Sequence, residues 1–379
     1  MHFIALKMLT GDRAKYLGLI FSIAFATFLI AQQSSIFCGL MNRTASQITD
    51  VVDADLWIMD ARTEYFDEIR ALSDEAVYRV RGVPGVEWAV RLYKGLTTAR
   101  AEDGKFRAVI LMGLDDATLV GVPHTMLVGK VEDLRLPDAA IIDKAGYNFF
   151  YPGEPLRAGR TMEMNDRRVV IVGVCDASPP FTTNPIMFTR YSNALNYVGR
   201  ERNLLSFVLA KTRPGESKAE VCAAIHRATN LRALTTNQFA WQTIFYYIRN
   251  TGIPVNFGIT IVVALIVGTV VAGQTFYIFT IENLKQFGAL KAIGVTNGRL
   301  VGMILLQAAV VAAIGFAFGI ALCAAFFDVT VNKTATRGFT LLWQIMAGTG
   351  GLIFSIVLLS SVLSLRKVLV LEPAIVFRG

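Results

Sequence analysis

Apolar residues fall in four long blocks from which charge is absent. No Asp, Glu, Lys or Arg occurs between Lys15 and Arg43, between Arg249 and Glu282, between Arg299 and Asp328, or between Arg337 and Arg366. Each block exceeds the roughly 20 residues that a helix needs to cross a hydrocarbon core about 30 Å thick. Buried helices of soluble cores rarely avoid charge for so long, so the blocks predict transmembrane helices at 16–42, 251–281, 300–327 and 338–365. Residues 43–250 carry the mixed pattern of a soluble domain, long enough for a core of its own. The 54% hydrophobic content therefore averages two very different regions.

Within the insertion, both ends read strand, helix, strand. At the first end a strand-like DADLWIMD precedes a helical EYFDEIRALSDEAVYRVRGV, then strands VEWAVRLYKGLTTAR and FRAVILMGLD. At the far end LLSFVLAKT, helical ESKAEVCAAIHRAT and LRALTTNQF repeat the order, with Ser73 and Ser217 in polar helix starts and Gly82 near a helix end. These units predict one α+β lobe built from both ends of the insertion. The middle, roughly 115–203, alternates turn clusters (GVPH, LPDAA, YPGEP, EMNDRR, SPPFTTNP) with short β runs such as RRVVIVGVCD, and predicts a second, β-rich lobe.

Two readings compete at the return to the membrane. WQTIFYYIR, residues 241–249, is helical and aromatic, and Pro254 follows. A single helix from Trp241 to Glu282 would be about 60 Å long, a rigid stalk above the span. Alternatively Pro254 breaks the helix and Trp241–Tyr247 form an interfacial aromatic belt. QQSSIFCGLMNRTASQ could likewise carry the first helix past the membrane. At the other end of that helix, residues 1–15 are expected to form a short interfacial helix broken at Gly11 and Asp12.

Charge then orients the spans. The net charge is +8, but Lys7, Arg13 and Lys15 precede the first span, Lys285, Lys291 and Arg299 separate the second and third, and Arg366, Lys367 and Arg378 follow the fourth. By the positive-inside rule these segments face the cytoplasm, with both termini inside and residues 43–250 outside. Basic charge here sets topology rather than a nucleic-acid surface. The first span is too long for the apolar core of a cleaved signal peptide. Cys175 and Cys222, in the outer domain, could bridge or remain free thiols; their spacing demands neither.

Catalytic signatures are missing. The chain contains no G-x-x-x-x-G-K-[ST] phosphate loop, no H-E-x-x-H or C-x-x-C metal spacing and no G-x-S-x-G elbow. Its polar intramembrane residues include Gln32, Gln33, Gln274 and Gln307, which suit hydrogen bonds between helices at least as well as a substrate path. Gly315 with Gly319, and Gly351 with Ser355, have the four-residue spacing of small residues that allows helices to pack closely or dimerise.

The loop between spans two and three reads ENLKQFGALKAIGVTNGRL, residues 282–300. Leu284, Phe287, Leu290 and Ile293 recur every third position, and Gly294 offers a stop. That drifting stripe, interrupted by Lys291, suits a helix seated in a protein groove better than one lying on lipid.

This segment resembles the signature of FtsX/MacB-like (type VII) ABC transporter permeases, whose loop after the second span reads approximately R-x-x-E-[FI]-G-x-L-[RK]-A-[IL]-G. Lys285, Gln286, Phe287, Gly288, Ala289, Leu290, Lys291, Ala292, Ile293 and Gly294 stand at the matching positions, with Gln286 where the family carries glutamate. The order of one span, a large insertion and three spans matches too, as does the ending LEPAIVFRG, and IAQQSSIFCGLMNRT is similar to the DevC-like branch. The resemblance implies an all-α four-helix transmembrane domain with an inserted two-lobed α+β extracytoplasmic domain, in a bacterial inner membrane. It implies a dimer with a second copy or a paralogue, separate ABC ATPase subunits that hold ATP and Mg, and no cofactor in this chain. Residues 284–294 would be the coupling helix within a cytoplasmic loop at 282–299, so that Asp at Phe287 or Leu290 is expected to abolish the complex while leaving membrane insertion intact. A periplasmic adaptor and an outer-membrane channel would complete an export path for a lipid, lipoprotein, peptide or drug. The alternative is an FtsX-like regulator of a cell-wall hydrolase.

Overall fold

The computed structural model describes residues 2–11, 13–198, 205–331, 333 and 336–369, with side chains from Phe3 to Ser361. The ending LEPAIVFRG lies outside the described residues. The chain divides into two compact units, Met1–Gly39 with Gly252–Gly379, and Leu40–Thr251.

The chain starts with α1 (His2–Gly11) and α2 (Arg13–Thr49). With 37 residues at about 1.5 Å each, α2 is about 55 Å long and runs unbroken through the polar QQSSIFCGLMNRTASQ. Its last turns bury Arg43, Thr44, Ser46 and Gln47 within the second unit. There the Ser46 hydroxyl donates to Pro179 O at 3.0 Å, and Ser178 donates to Asp50 through both its backbone N–H and its hydroxyl.

The insertion opens with β1 (Leu56–Met59), α3 (Glu75–Arg81) and β2 (Val86–Arg100). Its middle holds β3 (Phe106–Leu114), β4 (Met126–Val128), β5 (Ala139–Asp143), α4 (Lys144–Phe150), β6 (Arg160–Met164), β7 (Arg167–Cys175), β8 (Ile186–Arg190) and α5 (Tyr191–Val198). It closes with β9 (Phe207–Thr212), α6 (Lys218–Thr229), β10 (Arg232–Thr235) and α7 (Thr236–Asn250). The end pieces form the antiparallel order β10–β1–β9–β2, the split arrangement of two strand–helix–strand units. Strand alternation gives this sheet two apolar faces. Leu56, Ile58, Val208 and Ala210 meet Val77, Val80, Val221 and Ile225 of α3 and α6. Trp57 and Phe207 instead join Phe66 and Phe239 in an aromatic cluster with ring centroids 5.5–6.1 Å apart.

The helix expected over residues 64–83 is shorter, Glu75–Arg81. Phe66 is drawn into the aromatic cluster and Leu72 forms a β-bridge with Leu205, so residues 64–72 follow the packing of the sheet rather than a helical path.

The middle segment makes a closed ring, β2–β3–β8–β5–β7–β6 and back to β2. β2 belongs to both lobes. One edge pairs with β3; along the other, Val86–Leu92 pair with β9 while Ala99 and Arg100 pair with β6. The β6–β7 turn, Asn165–Asp166, has positive φ at both residues, which a two-residue hairpin of this twist requires. The buried Asp143 carboxylate caps α4 at Ala145 and Gly146 and accepts from Ile186 N–H at 2.9 Å, tying β5 to β8. All four cysteines are free, so Cys175 and Cys222 do not bridge.

A single helix from Trp241 to Glu282 does not form. α7 ends at Asn250, and α8 (Ile253–Glu282) begins after Thr251 and Gly252. Pro254 stands in the first turn of α8, where its missing N–H costs nothing, so the break lies just before it. Nor is α7 a simple aromatic belt. Phe239 is buried in the cluster with Trp57, and the Tyr246 ring stacks on Tyr65 at 4.0 Å, while Trp241 and Phe245 stay exposed.

The chain continues with α9 (Leu284–Ala292), α10 (Asn297–Thr330) and α11 (Trp343–Leu369). Four helices, α2, α8, α10 and the Trp343–Ser361 part of α11, are long and apolar enough to cross a membrane. Their shared core includes Ile23, Ala26 and Ile30 of α2, Ala272 and Phe276 of α8, Val311 of α10 and Ile353 of α11.

Candidate functional site

α9 is a short helix delimited at both ends. At its start Asn283 closes α8, its side chain donating to Phe279 O at 2.8 Å, and its own carbonyl accepts from Phe287 N–H. At its end Gly294 has φ +96, Gly294 N–H donates to Lys291 O and Val295 N–H donates to Leu290 O. These two bonds are the Schellman stop, completed by contact between the side chains three residues inside and two outside the end. Leu290 and Val295 fill those positions in one apolar cluster.

The predicted stripe does not stay on one face. Phe287 is fully buried with Ala5 of α1 and Leu300, Met303 and Ile304 of α10, and Gly288 is buried beside it. Leu284, Leu290 and Lys291 are half-buried, while Lys285, Gln286, Ala289, Ala292, Ile293 and Gly294 are exposed. Ile293, at the end of the stripe, is 81% exposed. Phe287 therefore anchors the helix to its own chain, and the surface open to a partner is Lys285, Gln286, Ala289, Ala292 and Ile293. A period of three against the helical 3.6 accounts for the divergence, because the stripe rotates toward solvent along the length of α9.

α1 packs beside this segment. Gln307, buried in α10, donates to Ala5 O at 2.7 Å, and Ala5 and Leu9 are buried. Phe3, Ile4, Lys7, Met8 and Gly11 line one side of a 540 Å³ cleft whose other side is Glu282, Asn283 and Gln286. Lys15 pairs with Glu282 where α8 ends. Gln307 makes the kind of interhelical bond its place in a span suggested, whereas the roles of Ala5 and Asn283 escaped the sequence reading, although an amide that ends an apolar helix, as Asn283 does, is a signal for a break.

The two small-residue motifs part company. A Cβ at Gly315 would sit 2.6 Å from Ile23 Cγ2, and one at Gly319 would sit 2.5 Å from Thr27 Cβ, so this pair seats α10 on α2. Gly351 meets nothing within 4 Å and Ser355 bonds only its own helix at Gly351 O, so that pair packs no helix among the described residues. Among the described residues no three His, Cys, Asp or Glu side chains converge as metal ligands would.

Two family models match. The FtsX-like permease C-terminal model matches residues 258–373, and the MacB-like periplasmic core domain matches residues 17–228. An uncharacterized ABC transporter permease of Mycobacterium bovis is 34% identical over 126 residues, and one from Mycobacterium tuberculosis matches to the same degree. The match covers 32% of this chain, and the chain spans only 34% of the length of these relatives. Among solved structures, the extracellular domain of the noncanonic ABC-type transporter YknZ from Gram-positive bacteria is 18% identical, with TM-score 0.37, covering 48% of this chain and 98% of that one. The periplasmic region of MacB from Actinobacillus actinomycetemcomitans is 13% identical, with TM-score 0.40, covering 54% and 96%. The spans, the inserted α+β domain and the family matches define a membrane-embedded permease. The chain belongs to the FtsX/MacB-like ABC transporter permeases.

Proposed function

We propose that this permease transmits force from a separate ABC ATPase to its outer domain, with α9 as the element the ATPase grips. The observation that carries this reading is the construction of α9. It is a nine-residue helix stopped at both ends, anchored through Phe287, and presenting Lys285, Gln286, Ala289 and Ile293 outward. A rigid anchor beneath an exposed face lets a push on that face move α8 and α10 together. The chain has no phosphate loop, so ATP and Mg belong to the partner subunit. Two permease copies flank two ATPases, the insertion faces the periplasm, and both termini are cytoplasmic. The spans contain no Asp, Glu, Lys or Arg that would bind a transported ion, which fits a lever better than a channel. The moving outer domain would extract or export a hydrophobic substrate such as a lipid, lipoprotein, peptide or drug, delivered through a periplasmic adaptor and outer-membrane channel.

The test is ATP hydrolysis by the tagged full chain purified from native membranes. Wild type is expected to carry an ATPase with it, and Ile293→Asp and Ala289→Glu to lose that activity at least tenfold at unchanged membrane yield. Full activity in both variants would remove α9 from the coupling path.

A further inference from the structure

Five glutamines lie in the spans, with Gln344 in the exposed first turn of α11, and they differ in what they bond. Gln33 donates to Gln32 at 3.0 Å, and Gln307 donates to Ala5 O. Gln274, on α8, has no hydrogen-bond partner among the described residues, and it is exposed. The threonines of the same helix are satisfied locally. The hydroxyls of Thr260, Thr269, Thr275 and Thr280 each donate to the carbonyl four residues earlier, at 2.7–3.1 Å.

Depth makes the Gln274 amide informative. Glu282 ends the charge-free block, and Gln274 is eight residues before it. At about 1.5 Å per residue that is about 12 Å along the axis. The interfacial layer on one side of a bilayer accounts for only about 5–7 Å, so the amide lies inside the hydrocarbon. Lipid chains offer it neither donor nor acceptor, and an unmet amide there is strongly disfavoured. Around it α8 exposes Ile259, Val263, Ile266, Val270, Tyr277 and Ile281, which recur at three- and four-residue spacings on one face. Those apolar residues suit lipid and protein equally; the amide suits only protein.

We propose that this face of α8 packs against α8 of a second copy of the chain, with the two Gln274 amides bonded to each other. The inference rests on the dimer of the preceding reading and assigns its membrane contact. Two copies inserted with the same topology are related by an axis along the membrane normal, so residue 274 of each lies at the same depth. A primary amide carries both donor and acceptor and is its own complement across such an axis. The flanking β-branched residues have few rotamers to lose on packing. A different polypeptide would satisfy Gln274 only by placing a polar group of its own at that depth, whereas a second copy does so by symmetry.

The experiment is oxidative cross-linking of the full chain in native membranes, with Cys38, Cys175, Cys222 and Cys323 replaced by serine. Single cysteines are placed at Val270 and Gln274, and for comparison at the exposed α10 positions Phe318 and Leu322. A covalent dimer of the chain with itself is expected at 270 or 274, at least fivefold above 318 and 322. Equal cross-linking at all positions, none on α8, or a product containing another polypeptide overturns the proposal. If the serine background fails to insert, Gln274→Leu in the native-cysteine chain decides instead. Its dimer fraction in nanodiscs is expected to fall at least fivefold, and an unchanged fraction overturns the proposal. Neither readout uses ATP hydrolysis, so loss of coupling through α9 and loss of this contact are told apart.

Discussion

Gly319 on α10 lies against Thr27 on α2 so closely that a Cβ at 319 would stand 2.5 Å from the Thr27 Cβ and 2.6 Å from Ala24 O. The obstructing atoms include backbone, which cannot rotate away. Gly319→Ala is therefore expected to destabilise the membrane unit by about 1–3 kcal/mol, the usual cost of overpacking. Gly351→Ala, with nothing within 4 Å, should leave it unchanged. Unfolding in mixed micelles measures both, and equal effects would contradict the assignment of Gly315 and Gly319 to the α2–α10 contact.

Phe287 and Ile293 belong to the same predicted stripe but face opposite ways. Phe287→Ala should cost about 3–5 kcal/mol as a core truncation. Ile293→Asp should alter stability little while removing ATPase coupling. Gly294→Ala, forced to keep φ +96, should cost about 1 kcal/mol and fray the end of α9. Comparing unfolding midpoints with co-purified ATPase activity separates anchor from contact surface. A Phe287→Asp variant would lose the complex through misfolding, which makes it an uninformative probe of docking.

The outer domain should show an alkaline stability profile of defined sign. Burial, followed by the Asp67 charge acting oppositely, sets Lys94; the net effect holds its ammonium below the usual 10.5. Its Nζ lies 3.9 Å from the Phe66 ring centroid and pairs with Asp67. Below 10.5 the unfolded chain then binds more protons than the folded one, so stability rises with pH through that window. Burial pushes Tyr151, Tyr191 and Tyr197 up to about 12, from 10.0. Between 10 and about 12 the unfolded chain has lost those protons first, so stability falls. Denaturant unfolding against pH, read by aromatic fluorescence, should show a decline above pH 10, and Lys94→Met should flatten the rising limb below it.

Gln307→Leu removes the bond to Ala5 O without changing the length of the side chain much. Loss of one interhelical bond in the membrane should cost about 1 kcal/mol, and its structural effect should be confined to α1. Protease cleavage within residues 3–11 is the measurement, and faster cleavage there with unchanged outer-domain cleavage is expected.

Much of this architecture is legible in the chain because its causes are local. A charge in hydrocarbon is costly at any position, so the charge-free blocks mark the helices able to span. Gly294 stops α9 because an αL residue ends a helix whatever surrounds it. The Asn165–Asp166 turn and the strand–helix–strand units at both ends follow from turn chemistry and period. Thr235 and Gln238 also form a capping box at the start of α7, a pattern the sequence itself contains.

Tertiary structure alone decided which faces meet. Gly315–Gly319 and Gly351–Ser355 have the same spacing, and only the position of α2 makes the first a contact and leaves the second open. The stripe in α9 could be divided between core and surface only once α1 and α10 were in place around Phe287. Residues 64–72 left the helical path because Phe66 had an aromatic cluster to enter. The β ring closes at Ala99 and Arg100, a pairing with residues more than sixty positions away that no local pattern encodes. Local rules set what each segment can be, whereas burial across distant segments chooses the side on which it is used.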